Sequence, residues 1–297
     1  MKKIQVFGVL SLVLFVSGLF MFALSGDEKK KQLHEGSAQY FPSTVDFAGE
    51  KTPLQIADVR ERFDRELLVN ANLHSSTILI MKRANRAFPI IEPILKQYGV
   101  PDDFKYLAVI ESALTNAVSA SGAKGVWQFM PDTAKEKGME VNDVVDERYH
   151  LQKATEAACK YLIAAKQKFG NWTLAAASYN GGMNGLNTKI MEQKVTDYYD
   201  LALTDETSRY VFRILALKEI MQHPSLYGFD VSKEEMYENL PTKVLEVDSS
   251  ITDLATFAKA QGINYKILKI HNPWLRDKKL SNPTKKKYQI EIPTSGY

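Results

Sequence analysis

The sequence predicts a mainly α protein, with an all-α domain over residues 51–230 followed by a small βααβ module over residues 241–297. Three observations predict this. Between residues 52 and 225 the apolar residues recur at helical spacing, and no alternating strand pattern interrupts them. Short β-like runs occur only at 243–247 and 288–292, where they flank two further helical patterns. At 297 residues and 45% hydrophobic content, the chain can hold one large domain or one medium domain plus a small module, and the change of pattern in the tail favours the second.

Each element follows from its own pattern and stop signal. Segments 53–68 and 75–98 carry apolar residues three and four apart, and Gly99 stops the second. Pro101-Asp102-Asp103 opens a third helix that runs through about Leu114, and a loop rich in Ser, Ala and Gly covers 115–125. Helical patterns resume at 132–137, 151–169, 172–179 and 207–221, and Pro224 closes the last. In the tail, 251–261 and 265–271 read as helices, with Gly262 at the C-terminal stop of the first. The tail is also the basic part of the chain, with ten Lys/Arg against five Asp/Glu from Lys243 onward. Lys285-Lys286-Lys287 reads as a solvated turn, with attraction to an acidic polymer as the alternative.

The N-terminus is an export signal. Lys2 and Lys3 precede a largely apolar run over 4–24, after which Asp27, Glu28 and three lysines follow. Residues 1–25 are therefore a signal peptide or an uncleaved signal anchor. Ala23 and Ser25 are small enough for cleavage after Ser25, while a run of about 21 apolar residues is long enough to span a bilayer. No cysteine stands nearby to carry a lipid. The expected location is the periplasm or cell envelope, with membrane anchoring through 4–24 if the segment is retained. Residues 26–50 mix Lys, Glu, Ser, Gly and Pro without periodicity and read as a linker.

Composition excludes several function classes. A net charge of +3 gives no global reason to bind nucleic acid. Cys159 is the single cysteine, set among alanines as a small buried hydrophobe, so neither an internal disulfide nor a multi-cysteine metal site can form. His34, His74, His150, His223 and His271 are scattered without metal-ligand spacing. No phosphate-binding glycine loop and no GxSxG elbow occurs, and no metal or cofactor is expected.

The candidate site starts at Glu111. Phe104, Leu107, Ala108, Glu111 and Leu114 share one face of the third helix, so a carboxylic acid stands in the stripe that faces the core. Burial disfavours the ionised form and raises the pKa toward the range a general acid needs near neutral pH. The plainer alternative is a glutamate at a helix end that reaches solvent or pairs with an arginine.

The surroundings of Glu111 decide between these. Glu111-Ser112-Ala113 is followed by 119–131, Ser-Ala-Ser-Gly-Ala-Lys-Gly-Val-Trp-Gln-Phe-Met-Pro. Later come Ala177-Ser178-Tyr179-Asn180-Gly181-Gly182 and Glu206-Thr207-Ser208-Arg209-Tyr210-Val211. In order and spacing, over roughly residues 75–225, these motifs resemble those of the soluble lytic transglycosylases and goose-type lysozymes. The resemblance implies a lysozyme-like all-α catalytic domain acting on peptidoglycan glycan strands. It implies that Glu111 is the catalytic acid/base, that Ser119 lies near the sugar's N-acetyl group, and that Gln128 and Met130 line the sugar groove. It further implies that Tyr179 and Asn180 flank the scissile bond, that Glu206 hydrogen-bonds substrate, and that Tyr210 buttresses the set. Packing alone also accounts for Gln128, Phe129 and Met130, a helix end for Tyr179 and Asn180, and a favourable helix-start carboxylate for Glu206. Trp127 is either core or groove floor.

With no Asp or Glu between Ser112 and Pro131, the motif offers one carboxylate where most glycosidases use two. The resemblance implies cleavage of the MurNAc–GlcNAc β-1,4 bond without water, leaving a 1,6-anhydroMurNAc end. A muramidase that uses water on the same fold, or a non-catalytic wall-binding protein, is the alternative. Residues 263–273 resemble the second half of LysM domains, which bind N-acetylglucosamine. Asp248-Ser249-Ser250-Ile251-Thr252-Asp253-Leu254 replaces the usual Gly-Asp-Thr-Leu-like start, so the module either binds glycan or packs on the catalytic domain.

Overall fold

Long amphipathic patterns give long helices here, and the order of burial along them sets the architecture. The computed structural model describes residues 40–297; the apolar segment 4–24 and the linker up to residue 39 lie outside the described residues. Helices α1 (Ala57–Asn72) and α2 (His74–Tyr98) follow the first two patterns. Pro89 and Pro93 fall inside α2 without ending it, and Gly99 at φ 68 caps it by returning its N–H to the carbonyls of Leu95 and Lys96. The third pattern becomes a 3₁₀ turn at Asp102–Phe104 and a short helix α3 (Lys105–Ser112), whose residues Tyr106 to Ile110 are all buried.

Helices α4 (Pro131–Glu136), α5 (Leu151–Phe169), α6 (Trp172–Gly181), α7 (Met183–Gln193) and α8 (Asp205–Gln222) complete the domain. The central element is α8. Tyr210, Val211, Phe212, Ile214, Leu215, Ala216 and Leu217 are all buried in consecutive turns, and α1, α3 and α6 pack around it. A helix with so wide an apolar stripe has to be enclosed over most of its surface, leaving Arg209, Arg213 and Lys218 only partly covered. The small residues Ala175, Ala176, Ala177 and Ser178 let α6 lie close to its neighbours. Helix α7 is absent from the expected elements: its apolar face is narrow, Met183, Leu186 and Ile190, of which only Leu186 is buried. Among the described residues no helix is long and apolar enough to cross a membrane.

The linker expectation for 26–50 fails at its C-terminal end. Strands β1 (Asp46–Phe47) and β2 (Glu50–Lys51) form a tight hairpin whose turn residues, Ala48 and Gly49, both take positive φ. Phe47 is fully buried against Phe104, which in turn meets Trp172 edge-on. The Glu50 carboxylate caps α6, accepting from the amides of Trp172 at 2.7 Å and Thr173 at 2.8 Å and from the Thr173 hydroxyl at 2.7 Å. Burial alone raises its pKa, but those hydrogen bonds and Lys166 outweigh burial and hold it below the ordinary carboxylate value. A polar composition concealed one anchoring aromatic and one cap.

The tail has the expected βααβ order. Strand β3 (Thr242–Val247) pairs antiparallel with β4 (Tyr288–Pro293), in register from Thr242↔Pro293 to Val247↔Tyr288. Between them lie α9 (Leu254–Ala260), capped by Asp253, and α10 (Tyr265–His271), capped by Asn264. Leu254, Leu268, Trp274, Leu280 and Ile290 form its core, and Val145 and Tyr149 of the helical domain belong to the same cluster.

Candidate active site

Helix α3 ends in an abrupt reversal directly after Glu111. Ala113 and Leu114 both adopt left-handed backbone, at φ 52 and φ 58, without being glycine. Side chains rarely take that conformation unless the surroundings impose it, and such positions cluster at functional sites. The surroundings are visible: Arg83 Nη1 donates to the Ala113 carbonyl at 3.2 Å, Ser112 Oγ donates to the Val126 carbonyl at 2.8 Å, and the Leu114 side chain is buried. The last turn of α3, with Glu111 on it, is thus tied to α2 and to the following loop.

Glu111 is half-buried, and its neighbours come from α8 and α6. The Tyr210 hydroxyl, itself 1% exposed, donates to Glu111 Oε1. Arg213, one turn further along α8, donates to the Ile110 carbonyl at 3.1 Å. Burial pushes the Glu111 pKa up to about 7 against the pull of the Tyr210 hydrogen bond and the Arg213 charge, and the Glu206 charge raises it further. Near neutral pH this carboxyl is therefore divided between its protonated and ionised forms, the condition for giving a proton and then taking one.

The remaining expected residues fall into three groups. Tyr179 donates to the Trp127 carbonyl at 2.8 Å, and Phe129 and Tyr161 meet its ring edge-on. Burial and the nearby Glu111 charge both raise its pKa, so it stays a neutral phenol. Asn180 Oδ1 accepts from Thr207 Oγ1 at 2.8 Å, which leaves the amide NH₂ as its donor. Gly181 permits that contact, since a Cβ there would lie 3.2 Å from Thr207 Cγ2. Gln128, Met130, Tyr179 and Asn180 together line a cleft of about 630 Å³ with Phe129 and Tyr161. Glu111 is not in that lining; Tyr179 links the two, lining the cleft while feeling the Glu111 charge.

Gln128 also braces its own loop. At φ 49 it turns the chain, and its Nε2 donates to the carbonyls of Gly125 at 2.7 Å and Ala117 at 3.1 Å. Trp127 is core: it is fully buried, with Nε1 donating to Thr155 Oγ1 at 2.9 Å. Glu206 is exposed in the first turn of α8, near enough to Glu111 to act on its charge. Ser119 does not line the cleft. Its Oγ closes a turn by accepting from the Ala123 amide at 2.9 Å and pairing with Ser121 Oγ at 3.0 Å.

Two contributors are absent from the sequence reading. Thr207 passes a hydrogen bond from Thr204 on to Asn180, and Arg213 supplies the positive charge facing Glu111. Arg213 was detectable in principle, because it stands three residues after Tyr210 on the same face of α8. Thr207 sits inside the Glu206–Tyr210 motif, but nothing in the sequence pairs it with Asn180.

Two family descriptions match this chain. Residues 88–201 match the transglycosylase SLT domain, and residues 243–296 match the soluble lytic transglycosylase C-terminal LysM-like domain. Over 235 residues, or 76% of this chain, it is 29% identical to membrane-bound lytic murein transglycosylase D of Escherichia coli strain K12. The same figures hold for the protein of that name from Escherichia coli O6:H1 strain CFT073. The chain spans about half the length of these relatives, 50% in each case.

Proposed function

We propose that this chain, which carries a transglycosylase SLT domain followed by a LysM-like C-terminal domain, is a peptidoglycan lytic transglycosylase that cuts the MurNAc–GlcNAc β-1,4 bond. The observation that carries the proposal is Glu111: one carboxyl whose pKa is raised to about 7, linked through Tyr179 to a cleft of about 630 Å³. The glycan strand runs through the groove lined by Gln128, Met130, Tyr179 and Asn180. The Asn180 amide and the rim carboxylate of Glu206 orient the sugar, and positioning of this kind contributes several kcal/mol to catalysis.

Glu111, protonated, gives its proton to the glycosidic oxygen as the C1–O bond breaks. The positive charge that develops at C1 is taken up by the substrate's own acetamido carbonyl, one of the recognised departures from the two-carboxylate scheme. Glu111, now ionised and held by Tyr210 and Arg213, removes the proton from the MurNAc 6-hydroxyl. The oxygen closes onto C1, and the products are a free GlcNAc 4-hydroxyl and a 1,6-anhydroMurNAc end. Proton count balances: the one given to the leaving group is replaced by the one taken from the 6-hydroxyl.

The location follows from the leader. The apolar segment 4–24 directs export to the cell envelope, where the wall is, and if uncleaved it tethers the enzyme to the membrane. Mass spectrometry of fragments released from purified peptidoglycan tests the reaction type. Anhydro ends are expected; reducing ends would make the enzyme a muramidase, and no fragments at all would make it a binding protein.

A further inference from the structure

Residues 140–150 hold a concentration of buried charge that the chemistry at Glu111 does not use. Asp146, Glu147 and Arg148 are each no more than 4% exposed. Buried charges are costly unless each is paired and hydrogen-bonded, and here the pairing is complete. Arg148 grips Asp146 through Nε at 2.8 Å and Nη2 at 2.7 Å. Its third nitrogen, Nη1, donates to two carbonyls at once, Gly122 and Phe129, each at 3.2 Å. These carbonyls stand at opposite ends of the loop that carries Gln128 into the cleft and leads directly to Met130.

The same loop is pressed onto Arg148 from a second direction. Gly125 lies so close that an added Cβ would fall 1.9 Å from the Arg148 carbonyl oxygen. Lys124 and Phe129 exchange backbone hydrogen bonds across the loop at 3.1 and 3.2 Å. Arg148 therefore bonds both ends of the loop through one nitrogen, and Gly125 packs against its carbonyl.

On its other side the segment is clamped by the C-terminal module. The Asp146 amide donates to the Trp274 carbonyl at 2.9 Å, and the Arg276 amide to the Val144 carbonyl at 2.8 Å. Lys286 bridges Glu140 at 2.6 Å and Glu147 at 3.2 Å. Trp274 is stacked between His150 and Tyr288, and the Arg276 guanidinium covers the Tyr149 ring. Val145 and Tyr149 share the module's own core. The module and the cleft wall thus grip the same short stretch of chain from opposite sides.

We propose that Arg148 is a positioning residue for the sugar cleft and that the C-terminal module, through Lys286 and Trp274, holds it in register. The module is then a brace for the catalytic domain rather than a freely tethered binding unit. This rests on the reading that the cleft takes a glycan strand.

The full-length chain carrying Arg148→Lys or Lys286→Met tests it, with amide hydrogen exchange across residues 119–129 and the kinetics of fragment release from purified peptidoglycan as readouts. Lysine keeps the charge opposite Asp146 but cannot also bridge the two carbonyls, and it is expected to speed loop exchange by about tenfold. Lys286→Met removes a half-exposed side chain, leaves the module's β3–β4 ladder protected, and is expected to speed the same loop severalfold. Both variants raise the apparent KM and leave the pH at which activity falls unchanged, because the Glu111–Tyr210 pair is not touched. Wild-type loop exchange and KM in Arg148→Lys, with only a lower melting temperature, would reduce Arg148 to a packing ion pair and overturn the proposal. Faster exchange in the module with an unchanged loop in Lys286→Met would overturn the brace. A wild-type chain that releases no fragments defeats the functional reading instead, and the exchange data still decide the brace.

Discussion

Replacing Tyr210 by phenylalanine removes one hydroxyl and leaves the ring and the packing of α8 in place. That hydroxyl donates to Glu111 Oε1, and a bond to the ionised form lowers an acid's pKa. The Glu111 value of about 7 is a balance between burial, which raises it, and Tyr210 and Arg213, which lower it. Without the phenol, burial is less opposed and the pKa climbs. A hydrogen bond to a charged group contributes roughly 1.5–3 kcal/mol, and about 1.4 kcal/mol corresponds to one pKa unit, which bounds the rise at ~1–2 units. The protonated carboxyl also loses a weaker bond to the phenol, so a rise of about one unit is expected. The assay is kcat/KM for fragment release from purified peptidoglycan, from about pH 5 to about pH 9. Since the acid must be protonated in the free enzyme, wild-type activity falls as pH rises through about 7. In Tyr210→Phe the fall moves to about pH 8. A limb that stays where it is or moves toward lower pH refutes the assignment of Tyr210 as the group that tunes Glu111.

Three further outcomes test the framework around that pair. Glu111 has its folded pKa raised from the ordinary 4.5 to about 7, so the native state holds more protons than the unfolded chain between those values and loses stability as pH rises through them. Glu111→Gln removes that cost, and its stability relative to wild type should increase by roughly 2 kcal/mol between pH 5 and pH 8, read from denaturant curves; an equal difference at both pH values contradicts a buried acid. Gly125→Ala combines an unfavourable backbone at φ 83 with a contact 1.9 Å from the Arg148 carbonyl, and a loss of at least ~2 kcal/mol is expected; a near-neutral result means the loop re-seats without Arg148. Phe47→Ala deletes a fully buried ring between the N-terminal hairpin and Phe104 and should cost ~3–5 kcal/mol in thermal or denaturant unfolding, whereas a true linker residue would cost almost nothing.

How far the sequence reaches differs from element to element. The face shared by Leu107, Ala108 and Glu111 was legible because helical periodicity is a local property, and the direction of the Glu111 pKa followed from it, whereas Leu114, expected on the same helix, lies beyond its end at φ 58. The βααβ tail was legible for the same reason, each helix having an Asp or Asn cap and an apolar face. Helix α7 was not, because its apolar face is only Met183, Leu186 and Ile190 and it begins on a Gly-Gly pair that reads as a stop. The hairpin at Asp46–Lys51 was hidden inside a polar stretch, since its anchors are long-range: Phe47 against Phe104, Glu50 on the start of α6, and Lys218 on the Asp46 carbonyl. At the site, motif residues were easy to name, but their division of labour was not. Ser119 closes a turn, Gln128 braces a loop while lining the cleft, and Arg213 faces Glu111 from a different helix. Each of these depends on long-range packing that no local spacing encodes. The joining of the module to the cleft wall through Glu140, Glu147 and Lys286 is the clearest case, spanning about half the chain.

The central claim is that Glu111 alone is the catalytic carboxyl and that Glu206 only orients substrate. The direct measurement compares fragment release from purified peptidoglycan by Glu111→Gln and by Glu206→Gln at matched protein stability. Loss of general acid catalysis predicts a fall of roughly 10²–10⁴-fold for Glu111→Gln, with a much smaller change for Glu206→Gln that appears chiefly in KM. Near-wild-type release by Glu111→Gln, or an equally deep loss of kcat in Glu206→Gln, would contradict a single acid/base and return the site to the two-carboxylate scheme.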